Sequence, residues 1–467
     1  MTTLLLRADA GPAIGVGHLS RCVALAEAAV ARGWRVFFAG EVGGAGWLAD
    51  RLAAVQVPVL APAELATQAA SLAADVVLVD HYGLGELPEV RSVARLVSME
   101  DGSFGRRAAD VVVDANLFRA VRPPDGSPVV LAGPRFAPLR ADIAAARAAR
   151  RARRAGALRV VVVMGGGAAG PAVGAALTAL RDTGVPMTVH AISASPVEVP
   201  SDPGQVFSVQ PPTPTLPALF AEADLVVSAA GVTLLELCCV GVPAALVQLA
   251  DNQAAGYRAA VDQGLAAGLG TVEDLRHAVE PLRHLLLNPE ARAALSTAAS
   301  TTVDGRGAAR ILDACALTAR EATESDADLL LRWRNDPETL RWSRGQQPVA
   351  EPVHRTWLTH SLTNPDRLLL VVETDHPVGT IRFDRTEGDV WEVSITVAPE
   401  DRGQGLASGI LTVGEGALEA HRPATKILAN VHENNAASLS LFERATYRKT
   451  RADGPFLWLE KPTPPRT

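Results

Sequence analysis

A histidine follows a glycine-rich turn near the start of the chain, in the stretch "IGVGHLSRC" that covers residues 14–22. Gly15 and Gly17 permit positive φ angles and a close approach of the backbone to a ligand. His18 stands at the start of a predicted helix, where the helix dipole disfavours a protonated imidazole. A neutral imidazole is the form that a general base needs. The pattern therefore predicts an anion-binding turn with His18 as base, and a turn with a purely structural histidine is the alternative.

A second predicted helix start has the chemistry of a nucleotide site. The stretch "SAAGVTLLELCCVGVP" at 228–243 is an apolar strand, a turn at Gly231 and then a helix. Helix N–H groups together with the Thr233 hydroxyl can hold a diphosphate. Glu236 can accept hydrogen bonds from a ribose diol, or it only stabilises its own helix. In "LADNQ", Asn252 and Gln253 follow the next strand and bring amide groups to the same predicted site.

A third glycine turn lies in the last third of the chain, in "DRGQGLA" at 401–407. Arg402, Gly403, Gly405 and Ala407 lie in or directly after it, and such a turn exposes successive N–H groups to a pyrophosphate at a helix start. Glu392 lies on the strand that precedes this turn. It is the best candidate for a base in this part of the chain, and an ordinary outward strand position is the alternative reading.

The elements that position these residues follow a repeating pattern. Short apolar strands alternate with helices over residues 4–133 and again over residues 158–249, which predicts two parallel sheets. Between them, the Ala/Arg-rich stretch 140–157 suits an exposed bridging helix, or else a basic site for a partner. After residue 300 the composition shifts and tryptophans become frequent, which predicts a new domain. The predicted domains are an N-terminal Rossmann-like lobe at 1–145, a nucleotide-binding lobe at 146–312 and a C-terminal domain at 316–467.

Composition narrows the class of protein. The 467 residues are 48% hydrophobic and 20% charged, as expected for a globular chain with sizeable cores. The net charge of −7 argues against a general nucleic-acid binder. The four cysteines have neither zinc-site nor disulfide spacing, so reduced thiols and no metal are expected. No apolar run has the length of a membrane span, and Arg7 and Asp9 interrupt the apolar N-terminal stretch, so a cytoplasmic protein is expected.

Several of these motifs together resemble the UDP-sugar hydrolases of pseudaminic acid biosynthesis. The resembling stretches are "RADAGPAIGVGHLSRCVALA" (7–26), "VDHYGL" (79–84), "LAGPRFAPLR" (131–140), "SAAGVTLLELCCVGVP" (228–243) and "LADNQ" (249–253). The resemblance implies a two-lobed fold like that of B-type glycosyltransferases. It also implies metal-independent hydrolysis of UDP-2,4-diacetamido-2,4,6-trideoxy-β-L-altropyranose, with inversion and with His18 activating water. The residues that it places around the sugar or the nucleotide are Asp80, Tyr82, Arg21, Thr233, Glu236, Asn252 and Gln253. The stretch "SMEDGSFG" at 98–105 matches only loosely, so Glu100 and Asp101 are not among the predicted residues.

The C-terminal part resembles the GNAT acetyltransferases, through the turn at Arg402 and "ILANVHENNAASLSLFERATY" at 427–447. The resemblance implies an α+β domain that uses acetyl-CoA, with Asn435 and Ser438 close to this cosubstrate. "LRWRNDPETLRW" at 331–342 resembles the first helices of GNATs that acetylate nucleotide-linked amino sugars. Phe442 stands where such enzymes often have the tyrosine that protonates the leaving thiolate, and a phenyl ring has no proton to donate.

These observations favour a bifunctional enzyme of nucleotide-sugar metabolism. One half is expected to hydrolyse a UDP-linked acetamido sugar, and the other half to N-acetylate an amino sugar with acetyl-CoA. A glycosyltransferase with a GNAT appendage is a first alternative, because the two-lobed fold is shared. A second alternative is a binding protein whose degenerate sites only sense a UDP-sugar or acetyl-CoA.

Overall fold

A computed structural model of the chain describes residues 1–11, 14–118, 121–150, 156–165 and 169–463. Contacts divide the chain into two compact units. One consists of residues 1–126 and 131–312, and the other of residues 127–130 and 313–467. Within the described ranges, no helix combines the length and the apolarity that a membrane crossing requires.

The first sheet has seven strands in the order β3-β2-β1-β4-β5-β6-β7, and β1 to β6 pair in parallel. Its strands are β1 (Thr3–Ala8), β2 (Arg35–Ala39), β3 (Val59–Leu60), β4 (Val76–Asp80), β5 (Arg95–Glu100), β6 (Val111–Asp114) and β7 (Val129–Ala132). The helices of this part are α1 (Gly17–Ala31), α2 (Gly46–Ala54), α3 (Leu65–Leu72), α4 (Pro88–Val93) and α5 (Ala141–Ala149).

The second sheet has six parallel strands in the order β10-β9-β8-β11-β12-β13. They are β8 (Leu158–Val163), β9 (Met187–Ile192), β10 (Gln205–Gln210), β11 (Leu225–Ala229), β12 (Ala244–Gln248) and β13 (Ala267–Thr271). The accompanying helices are α6 (Gly170–Asp182), α7 (Leu216–Glu222), α8 (Val232–Val240), α9 (Ala254–Asp262), α10 (Val279–Leu287), α11 (Pro289–Thr302) and α12 (Gly307–Ala316).

Both sheets repeat one topology. Counted from the first strand of each, the order is 3-2-1-4-5-6, which is the order of Rossmann folds. The direction of winding reverses between β1 and β4 and between β8 and β11, and the crevice at the carboxyl ends of such strands is where ligands bind. The predicted pair of Rossmann-like parallel sheets is confirmed. Two strands are not predicted from the sequence: β3, which has only two residues, and β13, whose glycines are more typical of turns.

The strands form because they are apolar enough to be buried on both faces. All five residues of β4, "VVLVD", are buried, and Leu4, Leu5 and Leu6 of β1 have no exposed surface. Continuous apolar runs are typical of parallel strands covered by helices on both sides. Burial of each such side chain contributes about 1.5–3 kcal/mol. The polar Asp80 at the end of β4 is therefore an exception that needs partners.

The stretch 140–157 differs from the exposed bridging helix that the sequence predicted. The helix α5 ends at Ala149, and Ile143 and Ala146 are buried in it. Arg147 donates to the carbonyl oxygens of Cys239 and Val303, so it satisfies acceptors at the ends of two other helices. The prediction was wrong because Arg147, and likewise Arg150, donates to main-chain carbonyl oxygens of other segments. The predicted continuation over residues 151–155 lies outside the described residues.

The third sheet has the order β14-β15-β16-β17-β18-β20-β19 and is antiparallel except between β17 and β18. Its strands are β14 (Thr318–Glu321), β15 (Arg367–Glu373), β16 (Pro377–Glu387), β17 (Val390–Val397), β18 (Lys426–His432), β19 (Arg448–Asp453) and β20 (Phe456–Pro462). The helices are α13 (Ala327–Arg334), α14 (Pro337–Trp342), α15 (Glu351–Thr363), α16 (Ala407–His421) and α17 (Ala436–Arg444). The predicted α+β organisation of this domain is confirmed.

The helix α17 ends in a Schellman motif with an unusual residue. Tyr447 N–H donates to the Phe442 carbonyl, and Thr446 N–H donates to the Glu443 carbonyl, both at 3.0 Å. Thr446 has a φ of 69°, a left-handed conformation that glycine normally takes at this position. A left-handed backbone costs a residue with a Cβ about 1–2 kcal/mol.

Replacement of Thr446 by glycine is expected to stabilise this domain. Relief of the left-handed strain exceeds the entropy that glycine loses on folding, about 0.5–1 kcal/mol, so the net gain is about 0.5–1 kcal/mol. Denaturant unfolding of the full chain, followed through the transition of this domain, measures it. Thr446→Ala keeps a Cβ and should not produce the gain. A Thr446→Gly variant that is less stable than the wild type would contradict the argument.

Candidate active sites

His18 and Asp80 form a buried pair at the switch point of the first sheet. His18 lies in the first turn of α1, directly after the glycine turn, and Asp80 is the last residue of β4. The His18 Nδ1 is 2.6 Å from the Asp80 Oδ1, and the two residues are only 5% and 1% exposed. One helical turn further on, Arg21 donates through Nε and Nη2 to the two Asp80 oxygens, at 2.7 and 2.8 Å.

The ionisation of Asp80 determines which nitrogen of His18 is basic. Burial alone would raise the pKa of Asp80, but the charge and hydrogen bonds of Arg21 and the bond with His18 hold this pKa well below its usual range. An ionised carboxylate only accepts hydrogen bonds, so the Asp80 oxygen at 2.6 Å requires a proton on Nδ1 of a neutral His18; Arg21 Nη2, 3.0 Å from the same nitrogen, donates to Asp80 at 2.8 Å instead. The lone pair is then on Nε2, the nitrogen directed away from Asp80. A base oriented by a carboxylate in this way can activate a nucleophile.

The neighbouring His81 has a different role. Its Nδ1 accepts from the N–H groups of Gly83 at 2.9 Å and Leu84 at 3.1 Å, and its Nε2 is 3.0 Å from an Asp9 oxygen. Both ring nitrogens therefore have partners, and burial together with the charge of Arg7 lowers the pKa of His81. His81 fixes the loop after β4, whereas His18 has the geometry of a base.

Tyr82 lies beside His18 and is held by an acid that the sequence analysis left out. The two rings are 4.4 Å apart and nearly perpendicular. The Tyr82 hydroxyl donates to Asp101 at 2.6 Å, and Asn116 donates to the other oxygen of Asp101 at 3.0 Å. Burial and the Asp101 charge raise the pKa of Tyr82, so the phenol keeps its proton. Asp101 directly follows β5, and this position at the same sheet edge as Asp80 is the signal that could have identified it.

The start of α8 lies close to the start of α1. A Cβ on Gly17 would be 3.1 Å from the Val232 side chain, so the first turns of the two helices approach each other. Gly231 is the N-cap of α8, and Thr233 lies in its first turn. The first N–H groups of a helix have no partner within it and can bind an anion.

Other predicted residues around α8 have partners within the protein. The Gln253 side chain accepts from the Leu249 N–H at 3.0 Å. Glu236 is buried, and its Oε1 accepts from Arg140 at 2.8 Å, a contact that the sequence did not indicate. Burial raises the pKa of Glu236, and the Arg140 charge counteracts this. The side chain of Asn252 lies outside the described parts of the chain.

In the C-terminal domain the parallel strands β17 and β18 diverge. They pair from Val390 with Lys426 to Val393 with Ala429, and beyond this point β17 pairs only with β16 and β18 only with β20. The separation leaves main-chain polar groups on the facing edges that an extended ligand can bind. Gly403 and Gly405 have φ values of 72° and 87° and shape the turn before α16.

Two predicted cosubstrate side chains, Arg402 and Asn435, make contacts within the domain. Arg402 Nη2 is 2.6 Å from Asp336 and donates to the Thr339 hydroxyl at 2.8 Å. Asn435 caps α17 by accepting from the Ser438 N–H at 3.1 Å. Ala407 is the first residue of α16. Contacts of these residues with acetyl-CoA remain predictions.

Glu392 lies at the point where β17 and β18 begin to separate. It is the third of the four paired positions, and its Oε1 accepts from Arg344 Nη2 at 2.9 Å. Arg344 also donates to Asn430 at 3.3 Å and lies over the Trp458 ring, 5.6 Å from its centre. The candidate base thus belongs to a polar and aromatic face of the sheet.

The tyrosine nearest to Phe442 is bound inside the domain. Phe442 and Tyr447 are buried with their ring centres 4.9 Å apart. The Tyr447 hydroxyl donates to Glu415 at 2.6 Å, and Lys461 donates to the other Glu415 oxygen at 2.7 Å. Burial and the Glu415 charge raise the pKa of Tyr447. This hydroxyl is therefore engaged by Glu415 and not free to replace the missing tyrosine at Phe442.

Over the described residues, no group of three or more His, Cys, Asp or Glu side chains could hold a metal ion. The independence of the N-terminal reaction from metals remains a prediction.

Comparison with known proteins identifies the C-terminal domain. Residues 316–448 match the family described as the acetyltransferase (GNAT) domain. No curated protein sequence matches the chain.

Three solved structures illustrate the similarities. MurG from Acinetobacter baumannii covers 67% of this chain and 98% of its own, at 16% identity and a TM-score of 0.48. A domain from Methanocaldococcus jannaschii covers 32% and 98%, at 21% identity and a TM-score of 0.29. The aminoglycoside acetyltransferase AAC(6')-Ib, solved with paromomycin and acetyl-CoA, covers 32% and 93%, at 19% identity and a TM-score of 0.29. The C-terminal part of the chain is a GNAT acetyltransferase domain.

Proposed function

We propose that the chain is a bifunctional enzyme of nucleotide-sugar metabolism. The N-terminal unit hydrolyses a UDP-linked acetamido-deoxy sugar, and the GNAT domain N-acetylates an amino sugar with acetyl-CoA. Both reactions fit a pathway of the pseudaminic acid type, as the sequence resemblance implies. The observation that carries the hydrolase assignment is the buried pair of His18 and Asp80 beside the start of α8.

In the proposed hydrolysis, His18 Nε2 takes a proton from water as the water oxygen attacks the anomeric carbon from the face opposite UDP. The bond between that carbon and the diphosphate oxygen breaks, and its electron pair leaves with UDP. The N–H groups at the start of α8 and the Thr233 hydroxyl stabilise the charge that develops on the diphosphate. Asp80 keeps the imidazole in the reactive tautomer and stabilises the imidazolium. The Arg21 charge keeps Asp80 ionised.

In the proposed acetyl transfer, the turn at Gly403 and Gly405 and the start of α16 hold the pyrophosphate of acetyl-CoA. The thioester then lies between the diverging edges of β17 and β18, where N–H groups can polarise its carbonyl. Glu392 takes a proton from the acceptor amine, whose nitrogen attacks the acetyl carbon, and the carbon–sulfur bond breaks. Because Phe442 has no proton to give and Tyr447 is bound to Glu415, the thiolate takes its proton from solvent.

Mass analysis of reaction products tests both assignments at once. The full chain is incubated with a UDP-linked amino sugar, with and without acetyl-CoA, and with its acetylated counterpart. The proposal expects an acetylated UDP-sugar when acetyl-CoA is present, and free acetamido sugar with UDP. Transfer of the sugar to an added acceptor instead of water would identify a glycosyltransferase. Tight binding of UDP and acetyl-CoA without any turnover would identify a binding protein and overturn the proposal.

A bulky residue in the acetyl-CoA turn should weaken cosubstrate binding. Gly405 has a φ of 87°, which valine rarely adopts, and a side chain here blocks the approach of a pyrophosphate to the backbone. Gly405→Val is expected to raise the dissociation constant of acetyl-CoA at least about tenfold, because one or more main-chain hydrogen bonds to a charged group are lost. Titration calorimetry measures this constant.

The matched control is Gly416→Ala in α16, the helix that follows the turn of Gly405. Gly416 is exposed, and a Cβ there would meet nothing within 4 Å. Its acetyl-CoA affinity should equal that of the wild type. Equal affinities for wild type and Gly405→Val would show that the pyrophosphate binds elsewhere.

A further inference from the structure

Arg140 ends the stretch "LAGPRFAPLR", which resembles the hydrolase family but has no role in the reaction described above. Its guanidinium is buried, and Nη1 donates to two partners: the Ser20 hydroxyl at 2.6 Å and Glu236 Oε1 at 2.8 Å. Ser20 and Glu236 are also buried. One nitrogen with two hydrogens thus joins two side chains that are far apart in the sequence.

The two partners lie on the two helices that carry the proposed reaction. Ser20 is two residues after His18 in α1, and Glu236 follows Thr233 by three residues in α8. The helix α1 follows a strand of the first sheet, and α8 follows a strand of the second sheet. The guanidinium also lies over the Trp47 ring, 5.2 Å from its centre, which fixes its plane.

We infer that Arg140 is a positioning residue that sets the distance between the base on α1 and the diphosphate site on α8. This inference rests on the proposed hydrolysis. Proton transfer and bond cleavage need both groups aligned on one substrate, and a misplacement of about 1 Å can cost a factor of about 100 in rate. A buried arginine with two short hydrogen bonds fixes the distance between its partners more tightly than apolar contacts do. Any movement that breaks one of the bonds leaves a buried polar group unpaired.

Glu236 links this contact to the nucleotide. Its Oε1 is bound by Arg140, so a ribose hydroxyl would bind the other oxygen. A bound nucleotide then restricts the position of the same carboxylate that Arg140 binds. Because Arg140 also donates to Ser20, the position of α1, the helix of His18, is restricted as well. Occupation of the second sheet's site thereby orders the base in the first.

Ser20→Ala isolates this link with the least disturbance. It removes one hydroxyl from α1 and leaves the ion pair of Arg140 and Glu236 intact. We expect kcat for UDP release from the UDP-linked diacetamido sugar to fall about tenfold, and the dissociation constant of UDP to stay within twofold. Arg140→Lys keeps the positive charge but loses the planar guanidinium with its fixed N–H directions. Its kcat should therefore lie between those of Ser20→Ala and Arg140→Met. A loss of stability alone would not separate kcat from UDP affinity in this way.

Amide hydrogen exchange provides a second readout that does not need turnover. UDP should slow exchange over residues 17–31 in the wild type, and this slowing should be lost in Ser20→Ala. Ser296→Ala is the matched control, because its hydroxyl donates to the Gly241 carbonyl, also at 2.6 Å, away from α1. The control should behave as the wild type in both assays.

The outcomes separate the two claims. A Ser20→Ala variant with wild-type kcat and wild-type exchange protection by UDP overturns the positioning role. If the wild type releases no UDP from the sugar, the proposed hydrolysis fails. The exchange comparison then still decides whether Arg140 couples α8 to α1.

Discussion

Replacement of His18 by alanine is expected to slow UDP release by about 10²–10⁴-fold, the usual contribution of a general base. In the proposed reaction the His18 Nε2, which is directed away from Asp80, accepts the proton of the attacking water. The alanine side chain cannot accept this proton. UDP itself should bind with nearly unchanged affinity, because the N–H groups at the start of α8 are left in place. A coupled assay for UDP measures the rate, and calorimetry measures the affinity.

Two controls make this result specific. His277→Ala removes an exposed histidine that follows β13, the last strand of the second sheet. This variant should release UDP at the wild-type rate. Acetyl transfer by the GNAT domain should also be unchanged in His18→Ala, which shows that this domain is folded, and the retained UDP affinity shows the same for the unit that contains His18. A His18→Ala rate within a few-fold of the wild type would rule out His18 as the base.

The arrangement of the first site follows largely from sequence, because strand ends are recognisable. Asp80 ends an apolar run, and the glycine turn before His18 follows another, so the parallel topology brings both to one edge. The alternation of apolar strands and helices does not predict which side chains form hydrogen bonds with one another. The sequence places His81 directly after β4 but does not indicate its partners, and three hydrogen bonds in the folded chain commit His81 to the loop after this strand.

Contacts between distant segments account for the rest of what was missed. The sequence predicts that Glu236 either stabilises its helix or binds a ribose. It does not predict the contact with Arg140, because Arg140 is 96 residues away in the sequence. Asp101 was left out because its motif matches loosely, although it holds the Tyr82 hydroxyl. The Ala/Arg-rich stretch looked solvated because arginine is usually exposed. In the fold, Arg147 satisfies carbonyl groups that no local pattern reveals.

Replacement of Glu392 by glutamine should abolish most acetyl transfer and leave hydrolysis intact. Glutamine keeps an oxygen that can accept from Arg344, so the local packing is preserved, but it cannot take a proton from the acceptor amine. A loss of about 10²–10⁴-fold in kcat is expected, with the dissociation constant of acetyl-CoA unchanged. Release of free thiol from acetyl-CoA in the presence of the amino sugar measures the rate.

Glu460→Gln is the matched control on the same face of the same sheet. Glu460 lies opposite Leu428, the residue that also pairs with Glu392, but it is bound to Lys426 where the strands remain paired. Both carboxylates thus flank Leu428, but Glu392 lies on the diverging strand β17 and is bound to Arg344, whereas Glu460 lies on β20 and is bound to Lys426. Wild-type transfer by Glu460→Gln with loss in Glu392→Gln would assign the base to the point of divergence. Equal transfer by both variants would mean that the acceptor amine loses its proton to another group. The polar face around Arg344 and Trp458 would then serve only to bind the acceptor.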